Sequence, residues 1–239
     1  YDYNSSQRLG TLATNLTGTA HDQTATIAYN PANQIDSLSK SNDSYAWGGH
    51  YNIDRVSSGN GLNQLKPETP GVGQVSVPTL NYDARGNLIT SDTNRYTYSS
   101  ENLLKTGPSS ATLTYDPAGR LYQTVQGTSN TRFQYDGVDL VAEYNGSNTM
   151  LRRYVHGPGD DDPILWYEGT VLTNKRYFSK DERGSVIAVT DSAGAVLGVN
   201  KYDEYGIPAS TNYSTRFSYT GQLWIPEQGM YYYKARIYS

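Results

Sequence analysis

Residues 82–88 read Tyr-Asp-Ala-Arg-Gly-Asn-Leu, and residues 115–121 read Tyr-Asp-Pro-Ala-Gly-Arg-Leu. An Asp at the first position of a turn can accept a hydrogen bond from the backbone two residues further on. Pro117 presets the φ angle of the second turn position, and Gly86 and Gly119 can adopt the left-handed conformation that closes a three-residue hairpin with a bulge. Each copy is therefore predicted to form a strand, a tight turn and a second strand.

The same unit recurs along the chain in degraded form. Units that begin at Tyr3, Tyr29 and Tyr98 have Asn or Ser in place of the Asp, and Tyr51 and Tyr135 begin more eroded copies. The bare spacing Asp-x-x-Gly recurs more often than chance predicts, at Asp83, Asp116, Asp181, Asp191 and Asp203. The residues assigned to the structural repeat are Tyr3, Tyr29, Tyr82, Asp83, Gly86, Tyr98, Tyr115, Asp116, Gly119, Tyr135, Asp191, Gly194, Tyr202, Asp203 and Gly206.

Tyrosine is the dominant large side chain, with 23 copies against three Phe and three Trp. A tyrosine ring packs well on a half-buried pleated surface while its hydroxyl stays hydrated. Only 36 % of the residues are hydrophobic, which favours a sheet with one hydrated face over a compact aliphatic core. No window carries a sustained helical stripe with caps. The sequence therefore predicts an all-β fold, built as a strip of antiparallel β-hairpins.

Charge and cysteine content exclude several functional classes. The net charge is −4 and the isoelectric point is near 5.3, which argues against nucleic-acid binding because basic runs are missing. Cysteine is absent, which excludes disulfides, thiolate zinc sites and cysteine nucleophiles. No stretch approaches the roughly 20 apolar residues of a transmembrane helix. No signal peptide opens the chain, and Tyr1 begins in mid-pattern, so we expect an excised piece of a longer protein.

Two irregular stretches interrupt the hairpin pattern. Residues 59–77 contain two prolines and several glycines, and we expect a long loop there; residues 157–163 form the second irregular stretch. Clear repeat units stop near residue 146, where longer and more specific sequence takes over. We therefore predict two segments, 1–145 and 146–239, within a sheet that continues through their boundary.

The second half carries five motifs: Tyr154–Gly159, Asp162–Ile164, Asp181–Val186, Tyr202–Gly206 and Arg216–Ser239. Together with the repeats, they resemble the RHS/YD-repeat family, which includes the RHS-associated core of bacterial polymorphic toxins and is related to Tc-toxin C components and teneurins. The resemblance implies a strip of YD repeats that forms part of a curved, hollow shell around a C-terminal toxin. It also implies an aspartyl self-cleavage motif beyond the end of this chain. Segment 1–145 would then be YD-repeat shell, and 146–239 a truncated RHS-associated core.

No local motif nominates a catalytic, cofactor-binding or metal site. His21, His50 and His156 lie in separate segments, whereas nucleophilic catalysis needs a base beside its nucleophile. Asp160–Asp162 offers carboxylates to calcium but lacks the alternation and bidentate Glu of a calcium loop, which favours an exposed acidic turn. Asp116–Gly119 formally matches the short self-cleavage pattern, yet a hairpin turn explains each of its residues. No pair of acids is nominated for glycoside hydrolysis either.

These observations favour a structural encapsulation module, a wall segment that sequesters a toxin, and they predict no enzymatic activity and no cofactor. The expected partners are the rest of the same shell and an enclosed toxin domain in cis, with secretion machinery or cell-surface glycan as further partners to test. Nucleic acid and a membrane span are not expected, and the predicted location is secreted or on the bacterial cell surface. One alternative is an extracellular or cell-surface fibre segment that binds carbohydrate through exposed aromatic residues. A second is an enzyme fragment.

Overall fold

The computed structural model describes residues 1–49, 54–209 and 215–238, which form β-strands, turns and two short 3₁₀ segments. The 3₁₀ segments are Asp43–Tyr45 and Tyr219–Gly221. No α-helix occurs among the described residues, and the prediction of an all-β fold is confirmed. These residues accordingly hold no helix of the length and apolarity that crossing a bilayer requires.

Three small sheets precede the largest one. The first contains β1 (Asp2–Tyr3), β2 (Leu9–Thr14), β3 (Gln23–Tyr29) and β4 (Ile35–Lys40), in chain order. The second contains β5 (Asp54–Gly59) between β6 (Leu65–Pro67) and β7 (Gln74–Ser76). The third contains β8 (Leu80–Tyr82), β9 (Leu88–Ser91) and β10 (Asn94–Arg95). The β5–β7 pair is parallel, which departs from the purely antiparallel expectation.

The largest sheet has eleven strands in chain order. They are β11 (Thr97–Tyr98), β12 (Leu104–Thr106), β13 (Thr112–Tyr115), β14 (Leu121–Gln126), β15 (Ser129–Asp136), β16 (Asp139–Asn145), β17 (Met150–His156), β18 (Pro163–Glu168), β19 (Lys175–Lys180), β20 (Val186–Thr190) and β21 (Val196–Val199). Successive strands are antiparallel hairpin partners, as the repeat pattern predicts. A last sheet contains β22 (Leu223–Ile225), β23 (Met230–Tyr233) and β24 (Arg236–Tyr238).

The strand register slips by one residue just before many of the turns. Tyr115 pairs with Leu121, whereas its neighbour Thr114 pairs with Gln123, so β14 carries one extra residue at this point. This is a β-bulge of the kind predicted from the left-handed turn residue. The same slip occurs at Tyr3, Tyr29, Tyr82 and Tyr98.

The chain divides into two compact units, and each is discontinuous in sequence. One comprises residues 1–48, 135–143 and 150–224, and the other comprises 49–134, 144–149 and 225–239. Below they are called the first and the second unit. The boundary between residues 145 and 146 that the sequence suggests stays a prediction.

Each unit has buried aliphatic side chains, and the burial of one strand on both faces departs from the expectation of a sheet with one hydrated face. In the first unit β20 is buried along its whole length, and a strand covered on both faces requires a continuous small or apolar run. In the second unit Leu113 and Leu121 are fully buried. β3 alternates buried and exposed residues as expected, and β4 is exposed at every position.

Candidate functional site

The predicted turn residues form a hydrogen-bonded arrangement, which we call the capped turn. In the clearest copy, Asp116 Oδ1 accepts hydrogen bonds from the backbone N–H groups of Ala118 and Arg120, both at 2.9 Å. The Asp116 N–H donates to the Arg120 carbonyl, and Gly119 has a φ of +78°. The Asp side chain thus satisfies two amides that a three-residue turn would leave without partners.

In ten turns in the described part of the chain, the side-chain oxygen of the first residue accepts a hydrogen bond from the backbone N–H four residues further on. Their first residues are Asn4, Asn30, Asn60, Asp83, Ser99, Asp116, Asn145, Asp181, Asp191 and Asp203. The fourth residue of each turn has positive φ, and it is Gly in five of them and Asn in four.

Two of these turns were missed by sequence reasoning. Asn60 begins one inside the stretch interpreted as a long loop, and Asn145 begins another where clear repeat units were expected to stop. In both, an Asn takes the left-handed position, with φ of +58° at Asn63 and +62° at Asn148. The missed signal was Asn at the fourth position, because Asn tolerates this conformation better than other side chains do.

Repeat tyrosines link each hairpin to the hairpin before it. The Tyr115 hydroxyl donates to the carbonyl of Leu104 at 2.9 Å, and the Tyr98 hydroxyl donates to the carbonyl of Leu88 at 3.0 Å. Each acceptor is the residue that follows the preceding capped turn. The equivalent bonds run from Tyr29 to Leu9 and from Tyr82 to Leu65. Tyr202 donates to the carbonyl of Val186, which follows the Asp181 turn, one turn further back.

These links correct the expectation that the tyrosine hydroxyls stay hydrated. Burial, assisted by the neighbouring Tyr232 and Tyr98, raises the pKa of Tyr115. The hydroxyl therefore remains a neutral donor across the physiological range, and the hydrogen bond to Leu104 persists with it.

Other predicted repeat residues occupy different positions. Tyr3 lies in β1 and is 65 % exposed. Tyr135 lies in β15, and Gly137 with a φ of +57° follows it in a shorter hairpin. The Asp191–Gly194 turn binds a distant loop, because Thr17 donates its N–H to the Gly194 carbonyl at 3.1 Å. Tyr51 lies outside the described residues.

A buried ionic cluster lies in the first unit around Glu143, a fully buried residue of β16. Arg216 donates to both carboxylate oxygens of Glu143, at 3.3 Å from Nε and 3.0 Å from Nη2, and Tyr154 donates its hydroxyl to Oε1. Arg152 Nη1 lies 3.8 Å from Glu143 Oε2 and bonds Glu168 through Nε at 3.1 Å. The arrangement pairs two carboxylates with two guanidinium groups.

The electrostatics of this cluster follow from burial and pairing. Burial alone would raise the pKa of Glu143, but Arg216 and Arg152 outweigh it and hold that pKa below its ordinary value. Burial and the adjacent Glu143 raise the pKa of Tyr154 well above its ordinary value. Glu143 is therefore an ionised acceptor and Tyr154 a neutral donor, which makes the cluster a structural anchor for Arg216.

Aromatic rings surround the same cluster. Phe217 contacts Tyr154 edge-on with centroids 4.9 Å apart, and it contacts His156 at 5.4 Å. Phe178 bridges Phe217 and Trp166, at 6.0 Å and 4.9 Å. The three contacts of Phe217 are edge-to-face, a geometry that stabilises beyond the buried area alone, whereas Phe178 and Trp166 are tilted by 31°. The first two residues of the RHS-like motif, Arg216 and Phe217, are thus held in the first unit by charge and by aromatic packing.

The predicted histidine and aspartate candidates have ordinary structural surroundings. His21 packs edge-on against Tyr45, and His156 Nε2 lies 2.8 Å from the carbonyl of Leu140. His50 lies outside the described residues. In the acidic run, Gln222 donates to Asp161 at 2.7 Å, and Lys180 pairs with Asp162. No group of three or more potential metal ligands occurs in the described ranges.

In the second unit, the segment before β23 is anchored on β12 to β14. Gln228 Nε2 donates to the Ala111 carbonyl at 2.7 Å, and its Oε1 lies where a side chain on Gly107 would be. The Tyr232 hydroxyl accepts the Leu121 N–H at 2.9 Å. Because Leu121 follows the Asp116 turn, Tyr232 bonds the first residue of β14.

A cavity of about 530 Å³ lies beside this anchored segment. Tyr98, Tyr115 and Met230 line it together with the cationic residues Lys234 and Arg236. The two tyrosine hydroxyls are already engaged with Leu88 and Leu104, so the tyrosines offer ring surface to this space.

No protein-family model matches the chain. It is 32 % identical to the tRNA3(Ser)-specific nuclease WapA of Bacillus spizizenii and 31 % identical to the tRNA nuclease WapA of Bacillus subtilis strain 168. Each match extends over 180 residues, 70 % of this chain, and the chain spans 8 % of the length of each relative.

Solved structures also match. They include the crystal structure of TcdB2-TccC3-Cdc42 and a Tc holotoxin pore of Photorhabdus luminescens. In both cases the identity is 17 %, the TM-score is 0.48, and the match covers 100 % of this chain and 16 % of the other.

The expectation that the chain has no enzymatic activity is wrong, because the relatives that it matches are named as tRNA nucleases. That expectation depended on the lack of a local catalytic motif. That lack concerns 239 residues that span 8 % of each relative, so it carries no conclusion about the activity of the longer proteins.

The carbohydrate-binding alternative stays a prediction, as does the assignment of individual YD repeats. The relatives support the broader part of the resemblance. The chain is related to the WapA nucleases, and this relationship is of the RHS type.

Proposed function

We propose that the chain is a wall segment of an RHS-type enclosure within a larger, toxin-associated nuclease. The observation that carries the proposal is the tyrosine link, by which a hairpin donates a hydrogen bond to the backbone of its predecessor. Such a hydrogen bond can recur in successive hairpins along the chain, and it does not require a common core around which the hairpins fold. It suits a wall that grows by adding hairpins, since each new hairpin needs only its neighbour.

The nuclease part of the proposal comes from the relatives. They are named for cleavage of tRNA, and this chain spans 8 % of their length. We propose that the protein containing this chain cleaves tRNA and acts as a secreted or cell-surface protein. Purified full-length protein and the 239-residue chain, each incubated with total tRNA and with single purified tRNAs, test this. Cleavage by neither would contradict the proposed activity, and cleavage by the chain itself would locate the activity within it.

The enclosure part needs a different experiment. We expect the segment carrying the nuclease activity to resist protease in the intact full-length protein, because the wall excludes the protease. The Glu143→Gln variant weakens the wall and should shorten the lifetime of that segment under limited proteolysis. Tyr122→Phe, at an exposed position, is the matched control. Equal digestion of the nuclease segment in the intact protein and in isolation would contradict the enclosure.

A further inference from the structure

The hairpin that joins β18 to β19 ends in an exposed apolar tip. The Glu168 N–H donates to the Asn174 carbonyl at 3.0 Å, which closes a loop of residues 169–173. Within this loop Val171 is 53 % exposed and Leu172 is 59 % exposed. More than half of each of these two adjacent aliphatic residues therefore stays exposed to water at the end of the hairpin, outside the buried core.

Cations flank the base of this tip. Tyr167 pairs with Arg153 of β17 and with Lys175 of β19, which puts the three side chains in one row across three strands. The Arg153 guanidinium lies 5.8 Å and the Lys175 ammonium 5.9 Å from the centroid of the Tyr167 ring. The next residue, Arg176, pairs with Trp166 and therefore lies on the opposite face of the sheet.

These cations have no acidic partner in the parts of the chain that the structure describes. Neither Arg153 nor Lys175 forms an ion pair there. The nearby acid, Glu168, already accepts hydrogen bonds from Arg152 and Trp166. The tip therefore combines exposed apolar side chains with uncompensated positive charge.

We propose that this surface, formed by Val171, Leu172, Arg153, Tyr167 and Lys175, docks on an anionic lipid bilayer. Aliphatic side chains of a peripheral site enter the boundary between headgroups and acyl chains, while Lys and Arg stay at the level of the anionic headgroups. Tyrosine prefers the same interface because its ring is apolar and its hydroxyl is polar. The hairpin presents the aliphatic pair at its tip, and the two cations and the tyrosine in one row below it.

Other partners fit the same surface less well. A stable protein interface buries about 800 Å² on each partner, much more than two side chains at a loop tip provide. A nucleic acid would use the cations and leave Val171 and Leu172 in water. The net charge of −4 also opposes binding of a polyanion to the chain as a whole, whereas docking by one tip needs only local positive charge. The proposal does not depend on the function proposed above.

Vesicle flotation of the 239-residue chain tests the proposal. We expect the chain to float with vesicles of phosphatidylcholine containing 30 % phosphatidylglycerol, and not with pure phosphatidylcholine. Added salt should release it, because headgroup attraction is screened. The Val171→Ser/Leu172→Ser variant should lower partitioning by about tenfold or more, from the lost apolar burial. Arg153→Glu/Lys175→Glu should lower it at least as much through charge reversal.

Val138→Ser is the matched control, because Val138 is 58 % exposed in a hairpin tip bordered by Asp136 and Asp139 instead of cations. It should float as the parent chain does, and all variants should melt at the parent temperature. Failure of the parent chain to float, equal flotation with both vesicle types, or a loss with Val138→Ser equal to that with Val171→Ser/Leu172→Ser would overturn the proposal. So would tRNA binding that depends on Arg153 and Lys175 without any flotation.

Discussion

Tyr115 donates its hydroxyl proton to the Leu104 carbonyl, and Leu104 is only 5 % exposed. Removing the donor leaves this shielded carbonyl without its partner. We therefore expect Tyr115→Phe to lower the free energy of unfolding by about 1–2 kcal/mol, measured by urea denaturation. The control is Tyr122→Phe, because Tyr122 is 42 % exposed and its hydroxyl has no partner among the described residues. Equal effects of the two variants would contradict the tyrosine link.

Glu143 is the second residue on which local stability depends. Replacing its carboxylate by an amide in Glu143→Gln leaves Arg216 and Arg152 without their buried counter-charge. Breaking a buried pair from one side costs about 3–5 kcal/mol, and we expect a loss of that order at pH 7. Thermal melts and urea titrations of the first unit measure it. A Glu143→Leu/Arg216→Leu variant that is more stable than Glu143→Gln would be consistent with this account.

The lowered pKa of Glu143 makes this loss depend on pH. A carboxyl whose pKa is lower in the folded than in the unfolded state stabilises the fold above its ordinary value of 4.5. That contribution disappears as the pH falls from 4.5 through the folded pKa, because over this range the unfolded chain binds a proton that the folded state does not. The stability gap between the parent chain and Glu143→Gln should narrow over this acidic range. A gap that stays constant would show that charge is not the cause.

At the scale of the element, the capped turn depends on a residue with positive φ at its fourth position. Gly184 and Gly206 both have φ near +80° or above, at 80° and 87°. A side chain on Gly184 would meet open space, whereas one on Gly206 would collide with the Tyr219 ring. We expect Gly184→Ala to lower the free energy of unfolding by about 1 kcal/mol through backbone strain alone. Gly206→Ala should lower the free energy of unfolding clearly more in the same denaturation assay. Equal losses for the two variants would show that the Tyr219 ring moves aside freely.

At the scale of the whole molecule, stability should differ between strands according to their burial. β20 is buried at every position, and β4 is exposed at every position on the edge of its sheet. Amides of β20 should exchange with solvent only through openings that cost much of the unfolding free energy, whereas β4 should exchange through local fraying. Hydrogen exchange read by mass spectrometry measures the contrast. Similar protection of both strands would contradict it.

The capped turn could be predicted closely because its physics is local. Asp116 and Gly119 satisfy a turn within five residues, so their identity and spacing suffice. Asn60 and Asn145 were missed for a related reason: Asn at the left-handed position gives a weaker signal than Gly, although the backbone outcome is the same. The interpretation of residues 59–77 as a loop followed from counting Pro and Gly without that signal.

The tyrosine links and the ionic cluster could not be predicted in the same way. Tyr115 could have left its hydroxyl in water, and only the pairing of β12 with β13 puts the Leu104 carbonyl within reach. Glu143 and Arg216 are far apart in sequence, and nothing in their neighbours indicates that they meet. Buried charges of opposite sign can come from distant parts of the sequence, because they interact through space; a local motif therefore does not identify such a pair.

The sequence by itself determined the all-β fold, the positions of most turns and the hairpin order, since each depends on contacts between residues close in the chain. The tertiary structure alone decided that Tyr hydroxyls bond a preceding hairpin and that Arg216 meets Glu143. It also decided that Arg153, Tyr167 and Lys175 share one row below an apolar tip. These arrangements depend on strand register and burial, and both are fixed only when distant segments pack together.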